Sequence, residues 1–468
     1  MLESAFQDRL LVEPVHGRIY LALQALRGRP VRRCIRRLQQ WESLDPAEFR
    51  QIQAERLRSM LEYARRHVPL YRSGEWGAAL SRSRIDEVGS WPVLEREILR
   101  TRPDDLLAKP RRPWLTHRRS SASTGTPIRM ALNLHAAAWS WASEYRAMLW
   151  HGIPIGIRTL KLWGEKLPLQ DWLRGQTTFL TTDLTPARLE AAVRFLLERR
   201  PRLVWGPASA VFHLARYLRE VYPDLPRPLV PFAKVGGEQL FPFQRAEIEA
   251  QMAGRVVESY GCTEVGAVAG ECPAGSLHVF ADHVHLEILC DGEPAEAGRF
   301  GDIVLTSLTN LAMPIVRCRL GDSGRLSPEP CPCGLPHPVL TDLRARASDL
   351  FLAADGREVH ASELVNRLGA FFGDPRVRGC RQVLFVQADP RTWRVWVEVG
   401  DRSQVAVQGG ERFCGAVEAG LAKLVRETFG ADCRVETALV RTIPREVSGK
   451  YRYYRVHNLR GQGGHGEP

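Results

Sequence analysis

The sequence predicts an α/β protein: a large N-terminal domain of mixed sheets and helices, followed by a small α+β domain. Three observations carry this. From about 110 to 310, short apolar runs alternate with helical stretches, as strands joined by helices do. After Leu343 the texture changes to paired strands, one amphipathic helix and a further strand. At 468 residues, the chain exceeds what one hydrophobic core comfortably serves.

Residues 1–72 read as a helical segment packed on the large domain. Leu57, Leu61, Ala64 and Val68 recur at helical spacing, and Asp45-Pro46 is a helix start. The Arg-rich stretch Arg27–Arg37 reads as a solvated face. In the large domain, 73–344, strands are expected at Leu160–Trp163, Leu203–Trp205 and Arg255–Val257. Helices are expected at Pro186–Arg199 and Ser209–Val221. His278–Cys290 alternates strictly and, with Gly301–Thr306, predicts an added antiparallel or barrel-like piece. The small domain, 345–460, begins near Arg344–Ser348. It contains strands at Cys380–Val386, Thr392–Val399 and Cys433–Val440 and a helix at Arg412–Phe429. Residues 461–468 are Gly-rich and expected to be disordered.

Composition excludes several classes. Apolar residues make up 44% and charged residues 25%, which rules out global disorder. The net charge of +12 comes from Arg scattered along the chain, with no basic stripe interleaved with aromatics, so nucleic acid is not an expected partner. Phosphates of a nucleotide or coenzyme are the simpler clients. Ten cysteines do not form a disulfide framework in a chain this long. The N-terminus lacks the basic-then-apolar pattern of a secretory signal, and no apolar run nears the roughly 20 residues of a spanning helix. A cytoplasmic protein, monomer or homodimer, is expected.

Four segments carry chemistry. Arg119-Ser-Ser-Ala-Ser-Thr-Gly-Thr-Pro127 offers small hydroxyl residues and a Gly, whose N–H and O–H groups cradle an anion. It lacks the Gly-Lys-Ser/Thr ending of a P-loop. Tyr260-Gly-Cys-Thr-Glu264 follows a predicted strand, Leu320-Gly-Asp322 follows Arg317-Cys-Arg319, and Pro444–Lys450 closes the small domain. Gly236-Gly-Glu238 and Cys331-Pro-Cys-Gly334 flank them. In order and spacing, residues 50–455 resemble the adenylate-forming superfamily of acyl-CoA synthetases, and within it the phenylacetate-CoA ligase branch and its capsule-biosynthesis-like relatives.

That resemblance implies ATP-dependent, AMP-forming activation of an aryl or acyl carboxylic acid, then acyl transfer, with coenzyme A as the acceptor. It implies ATP and Mg²⁺ as cofactors and a mobile C-terminal lid. Ser121, Ser123, Thr124 and Gly125 would hold the phosphates, and Glu264 would ligate Mg²⁺. Thr263 would contact the α-phosphate, and Tyr260 would stack on adenine. Gly237 and Glu238 would line the nucleotide, with Asp322 and Arg346 on the ribose. Lys450 would be the cation between the acid and the α-phosphate. Trp205, Gly236 and Gly261 would border the substrate pocket, with Trp141, Tyr145, Trp163 and Phe212 as further pocket aromatics. Two acceptor classes stay open beside CoA: an amine or alcohol, and a carrier protein. An inactive scaffold is a third reading, against which Glu264, Asp322 and Lys450 stand together.

The chain departs from the family pattern at three places. Ala122 replaces a loop Gly, Ala345-Arg346-Ala347-Ser348-Asp349 replaces Gly-Arg-x-Asp-Asp, and Cys262 has no assignable role. Cys272, His278, Cys331 and Cys333 form a complete tetrahedral zinc set, a structural site because no position stays open. His283, His285 or His337 could replace His278. The bland alternative is a group of reduced cysteines under a loop.

Overall fold

The computed structural model describes residues 12, 15–81, 88–110, 114–120, 127–182, 184–345, 349–400, 410–445 and 451–455. Local chemistry starts the N-terminal helices where the sequence places them. Pro46–His67 begins with Pro at its first position, and the Asp45 side chain accepts from Ala47 N at 2.7 Å. Leu61, Ala64 and Val68 are fully buried in one apolar cluster with Met130 and Ile315. The helix Val31–Glu42 buries Val31, Cys34, Ile35, Leu38 and Trp41 and leaves Arg32, Arg33, Arg36 and Arg37 in solvent. Trp41 stacks on Trp139 of the long helix Leu134–Trp150, with centroids 5.4 Å apart.

Among the described residues, thirteen strands form one sheet. One half is parallel: Gln176–Leu180, Thr159–Trp163, Leu203–Gly206, Val230–Gly236 and Ala253–Cys262 lie side by side in that order. Helices Pro186–Arg199 and Ala208–Val221 supply crossovers, as a parallel sheet requires. From Ala253–Cys262 onward the main run of the sheet is antiparallel, through Gly266–Glu271, Leu277–Val279, Val339–Arg344, Cys318–Leu326, Gly301–Ser307 and Val284–Cys290. The expected antiparallel piece therefore continues the same sheet. The run His278–Cys290 divides between two antiparallel strands, Leu277–Val279 and Val284–Cys290. His283 N and Val284 N both donate to Phe280 O, at 2.8 and 2.9 Å, and this turn sends the two halves to different partners.

The C-terminal part builds a separate four-stranded sheet in the order Arg434–Val440, Thr392–Val399, Cys380–Asp389, Tyr454–Arg455, and the helix Gly410–Phe429 joins its apolar core. It packs on Ala208–Val221 and Pro242–Gln251. Phe372 meets Phe212 at 5.9 Å, and the Arg216 guanidinium donates to Cys380 O at 2.7 Å. No helix among the described residues is long and apolar enough to cross a membrane.

Candidate active site and candidate metal centre

The carboxyl ends of parallel strands are where open α/β sheets bind ligands, and Gly236 and Tyr260 lie at two such ends. Tyr260 lies inside the strand Ala253–Cys262, not after it; the register slips at Tyr260/Gly261, and the chain then turns through Thr263 and Glu264. That turn brings Glu264 inward, to 2% exposure. Its Oε1 accepts from Arg96 Nε at 2.8 Å, and Arg96 Nη1 donates onward to Leu320 O at 3.2 Å. Its Oε2 is buried and, among the described residues, has no hydrogen-bond partner. A buried carboxylate with one orphaned oxygen fits a hard cation such as Mg²⁺. The neighbouring Cys262 thiol is pushed well above its ordinary range by burial and by Glu264, so it sits there as a neutral group.

Tyr260 donates its hydroxyl to Asp322 Oδ2 at 2.7 Å, tying the second motif to the third. Burial and the Asp322 carboxylate raise the phenol well above its usual value, so Tyr260 stays a donor. The two glycines of Gly236-Gly237 have a reason beyond ligand approach. A Cβ at Gly236 would lie 2.5 Å from Ser259 Oγ on the neighbouring strand, and Gly237 has φ of +78°. Glu238 Oε2 accepts from Ser209 N, so this carboxylate also starts the helix Ala208–Val221. Gly261 is exposed near the end of the strand, opposite Ala267, and Thr263 is half-buried in the turn that follows. Ser121, Ser123, Thr124, Gly125, Arg346 and Lys450 lie outside the described residues, as do Ala122 and Ala347.

The pocket aromatics divide. Phe212 is core: it is 2% exposed and touches Phe243 and Phe372. Tyr145 is buried between Tyr20 and Trp141. Trp163 and Trp205 remain half-buried at the strand ends, 6.0 Å apart. Helical and strand spacing alone does not separate these cases, because both uses put an aromatic on an inward face. Sequence reading missed Arg96. A lone Arg 168 residues before its partner gives no local signal.

The second cluster lies across the antiparallel half. The ligand atoms of Cys272, His278, Cys331 and Cys333 all fall within 4.8 Å of one another. Two tight turns deliver the thiols: Gly275 N donates to Cys272 O, and Gly334 N to Cys331 O. His278 is fully buried, and burial lowers its imidazole to about 4, so it is neutral. Its Nδ1 donates to His337 O at 2.9 Å, which fixes Nε2 as the free lone pair, 3.2 Å from Cys333 Sγ. Of the alternative histidines, His283 is engaged by Val265 O and Thr309, and His337 packs on Phe49; neither belongs to the set. Three thiols and one oriented imidazole fit Zn²⁺.

The parallel ends of the mixed sheet thus carry a buried metal-fit carboxylate, tied through Arg96 to the Leu320-Gly-Asp322 turn, and this is the candidate active site. No protein-family model matches the chain. It is 25% identical over 444 residues to phenylacetate-coenzyme A ligase of Thermus thermophilus, covering 90% of this chain and 98% of that one. It is 24% identical over 312 residues to the Escherichia coli enzyme of the same name, covering 61% and 69%. The fold matches 2-hydroxyisobutyryl-CoA ligase in its postadenylation state with a TM-score of 0.70 at 20% identity, over 89% of this chain and 91% of that one. An open conformation of that ligase gives 0.56 over 89% and 93%. Along most of its length the chain is similar in sequence to phenylacetate-CoA ligases, and it shares its fold with 2-hydroxyisobutyryl-CoA ligase.

Proposed function

We propose that the protein is an AMP-forming acid–CoA ligase. A substrate carboxylate oxygen attacks the α-phosphorus of ATP and pyrophosphate leaves. The CoA thiolate then attacks the acyl carbon and AMP leaves. The observation that carries this is the orphaned, buried oxygen of Glu264 beside the Tyr260–Asp322 pair, in a chain aligned almost end to end with a phenylacetate-CoA ligase.

In this reading Glu264 holds Mg²⁺, which neutralises phosphate charge when bound. Thr263, Ser121, Ser123, Thr124 and Gly125 hold phosphates, Asp322 and Arg346 hold the ribose, and Lys450 supports the charge that builds in the attack. Residues 345–460 act as a lid closing on 73–344. Residues on both sides of Lys450 already reach the large domain: Arg445 donates to Thr181 O at 2.7 Å, and Tyr451 lies 4.0 Å from the His213 ring. Cys272, His278, Cys331 and Cys333 hold a structural zinc. Ten unbridged cysteines support a reducing, cytoplasmic setting.

The test is a carboxylic-acid panel with ATP and Mg²⁺, with CoA or hydroxylamine as acceptor, read by mass spectrometry. Acyl-CoA and AMP in equal amounts are expected. Formation of ADP, or AMP release with transfer only to an amine, would overturn the assignment.

A further inference from the structure

Resting on the adenylation reading, a row of side chains beneath the strand ends identifies the class of acid. Thr178, Lys161, Trp205, Lys234 and Val257 lie in register across the parallel strands. Two lysines therefore flank one tryptophan, with Nζ atoms 5.4 and 5.0 Å from its ring centroid. Lys234, its side chain 1% exposed, pairs with Glu144 of the helix Leu134–Trp150, and Lys161 pairs with Asp171 at 3.5 Å. Burying these charges costs several kcal/mol per ion, and apolar side chains would hold a helix on a sheet at least as well. Charge is therefore wanted at this place. Glu144 and Trp205 line one narrow cleft between the helix and the sheet.

A third cation makes no ion pair among the described residues. Arg118, on the strand Leu115–Arg119 that leads into the phosphate loop, donates from Nη2 to Ser140 Oγ at 2.7 Å. Ser140 lies one helical turn before Glu144, on the same face. The guanidinium lies against Gly266, where a Cβ would come within 2.4 Å of Nη1. Nη1 is buried, and among the described residues it has no hydrogen-bond partner. Arg118 interacts electrostatically with Glu144 and Cys262, whereas Glu264 is taken by Arg96. Lys234 and Lys161 each meet a carboxylate, whereas Arg118 makes no ion pair among the described residues and keeps one guanidinium nitrogen without a hydrogen-bond partner there.

We propose that Arg118 receives a second carboxylate on the substrate, so that the enzyme activates a dicarboxylic acid whose body lies toward Trp205. The aromatic ring and the paired Lys234–Glu144 then give this pocket a polar floor, unsuited to a purely apolar acyl group.

The experiment compares isophthalate, terephthalate and glutarate with benzoate, monomethyl isophthalate and butyrate in ATP–pyrophosphate exchange. Wild type, Arg118→Met and Arg118→Lys are compared. In wild type, kcat/KM is expected to be at least tenfold higher for the diacids, a fair return for charge-assisted hydrogen bonds. In Arg118→Met that ratio falls toward one, through KM, and Arg118→Lys keeps part of it. Monoacids used as well as diacids, or a ratio unchanged in Arg118→Met, would overturn the proposal. Calorimetry of the same acids without ATP separates the two readings. Diacid binding to wild type but not to Arg118→Met upholds the anion site even if no exchange occurs, in which case the ligase reading is what fails. No binding of any diacid overturns the site itself.

Discussion

Two clusters of ligand-type residues sit on one sheet, and they are built oppositely. At Cys272, His278, Cys331 and Cys333 the donor atoms converge on one point. At Glu264 and Asp322 each carboxylate is already held by a neighbour, Arg96 in one case and the Tyr260 hydroxyl in the other. The first arrangement offers four ligand atoms around one point, which suits a permanent ion. The second keeps two carboxylates ordered and satisfied while leaving Oε2 of Glu264 for an ion that comes and goes. In the proposed reading, the first is a structural site and the second a catalytic one.

That contrast is most sharply tested by Glu264→Gln. It removes the metal's anionic ligand and is expected to slow adenylation by about 10²–10³, as loss of one electrostatic contact to the transition state does. Its melting temperature should stay close to wild type. A variant that still adenylates at the parent rate would dissolve the distinction. Cys333→Ser is the opposite case. Elemental analysis should show one zinc per chain in wild type and none in the variant. The loss of roughly 2 kcal/mol of local stability should lower the melting temperature by on the order of 5 °C. Full stability without metal would mean the cysteines merely pack.

A pH experiment probes the turn that carries Glu264. His283, bonded to Val265 O, is held neutral by burial, with its imidazole lowered to about 3. The unfolded chain takes up that proton near pH 6.5, before the folded one does, so stability is full above 6.5 and falls as pH drops toward 3. One such group costs roughly 1.4 kcal/mol per pH unit. His283→Gln should flatten denaturation midpoints measured between pH 6.5 and 5, and an unchanged slope would remove His283 from the account. The smallest effect is expected at Arg96→Ala, which frees Glu264 from its holder. It should raise the Mg²⁺ concentration for half-maximal activity about tenfold, as outer-shell partners do, with Arg96→Lys intermediate. An unaltered Mg²⁺ titration would make Arg96 merely structural.

The parallel strands were readable because a strand buried on both faces is a continuous apolar run. Leu160–Trp163, Leu203–Trp205 and Arg255–Val257 all lie within observed strands. The chemistry-bearing turns were readable because Gly, Asp and Glu sit in short local patterns. What sequence could not give was any pairing made across the fold. Arg96 with Glu264, Lys234 with Glu144 and Arg118 with Ser140 each join residues that no local pattern links to one another. Nor did alternation warn that His278–Cys290 divides, since the turn at Phe280 is made by backbone hydrogen bonds in an apolar stretch.

The central claim is that this chain forms an acyl-adenylate, and acid-dependent ATP–pyrophosphate exchange measured without CoA tests it most directly. Wild type should exchange only when its acid is present. Lys450→Ala should bind ATP in equilibrium dialysis yet show no exchange, because the cation it removes acts mainly on the attack at phosphorus. Exchange that ignores the acid, or a Lys450→Ala enzyme that exchanges at the parent rate, would contradict the account.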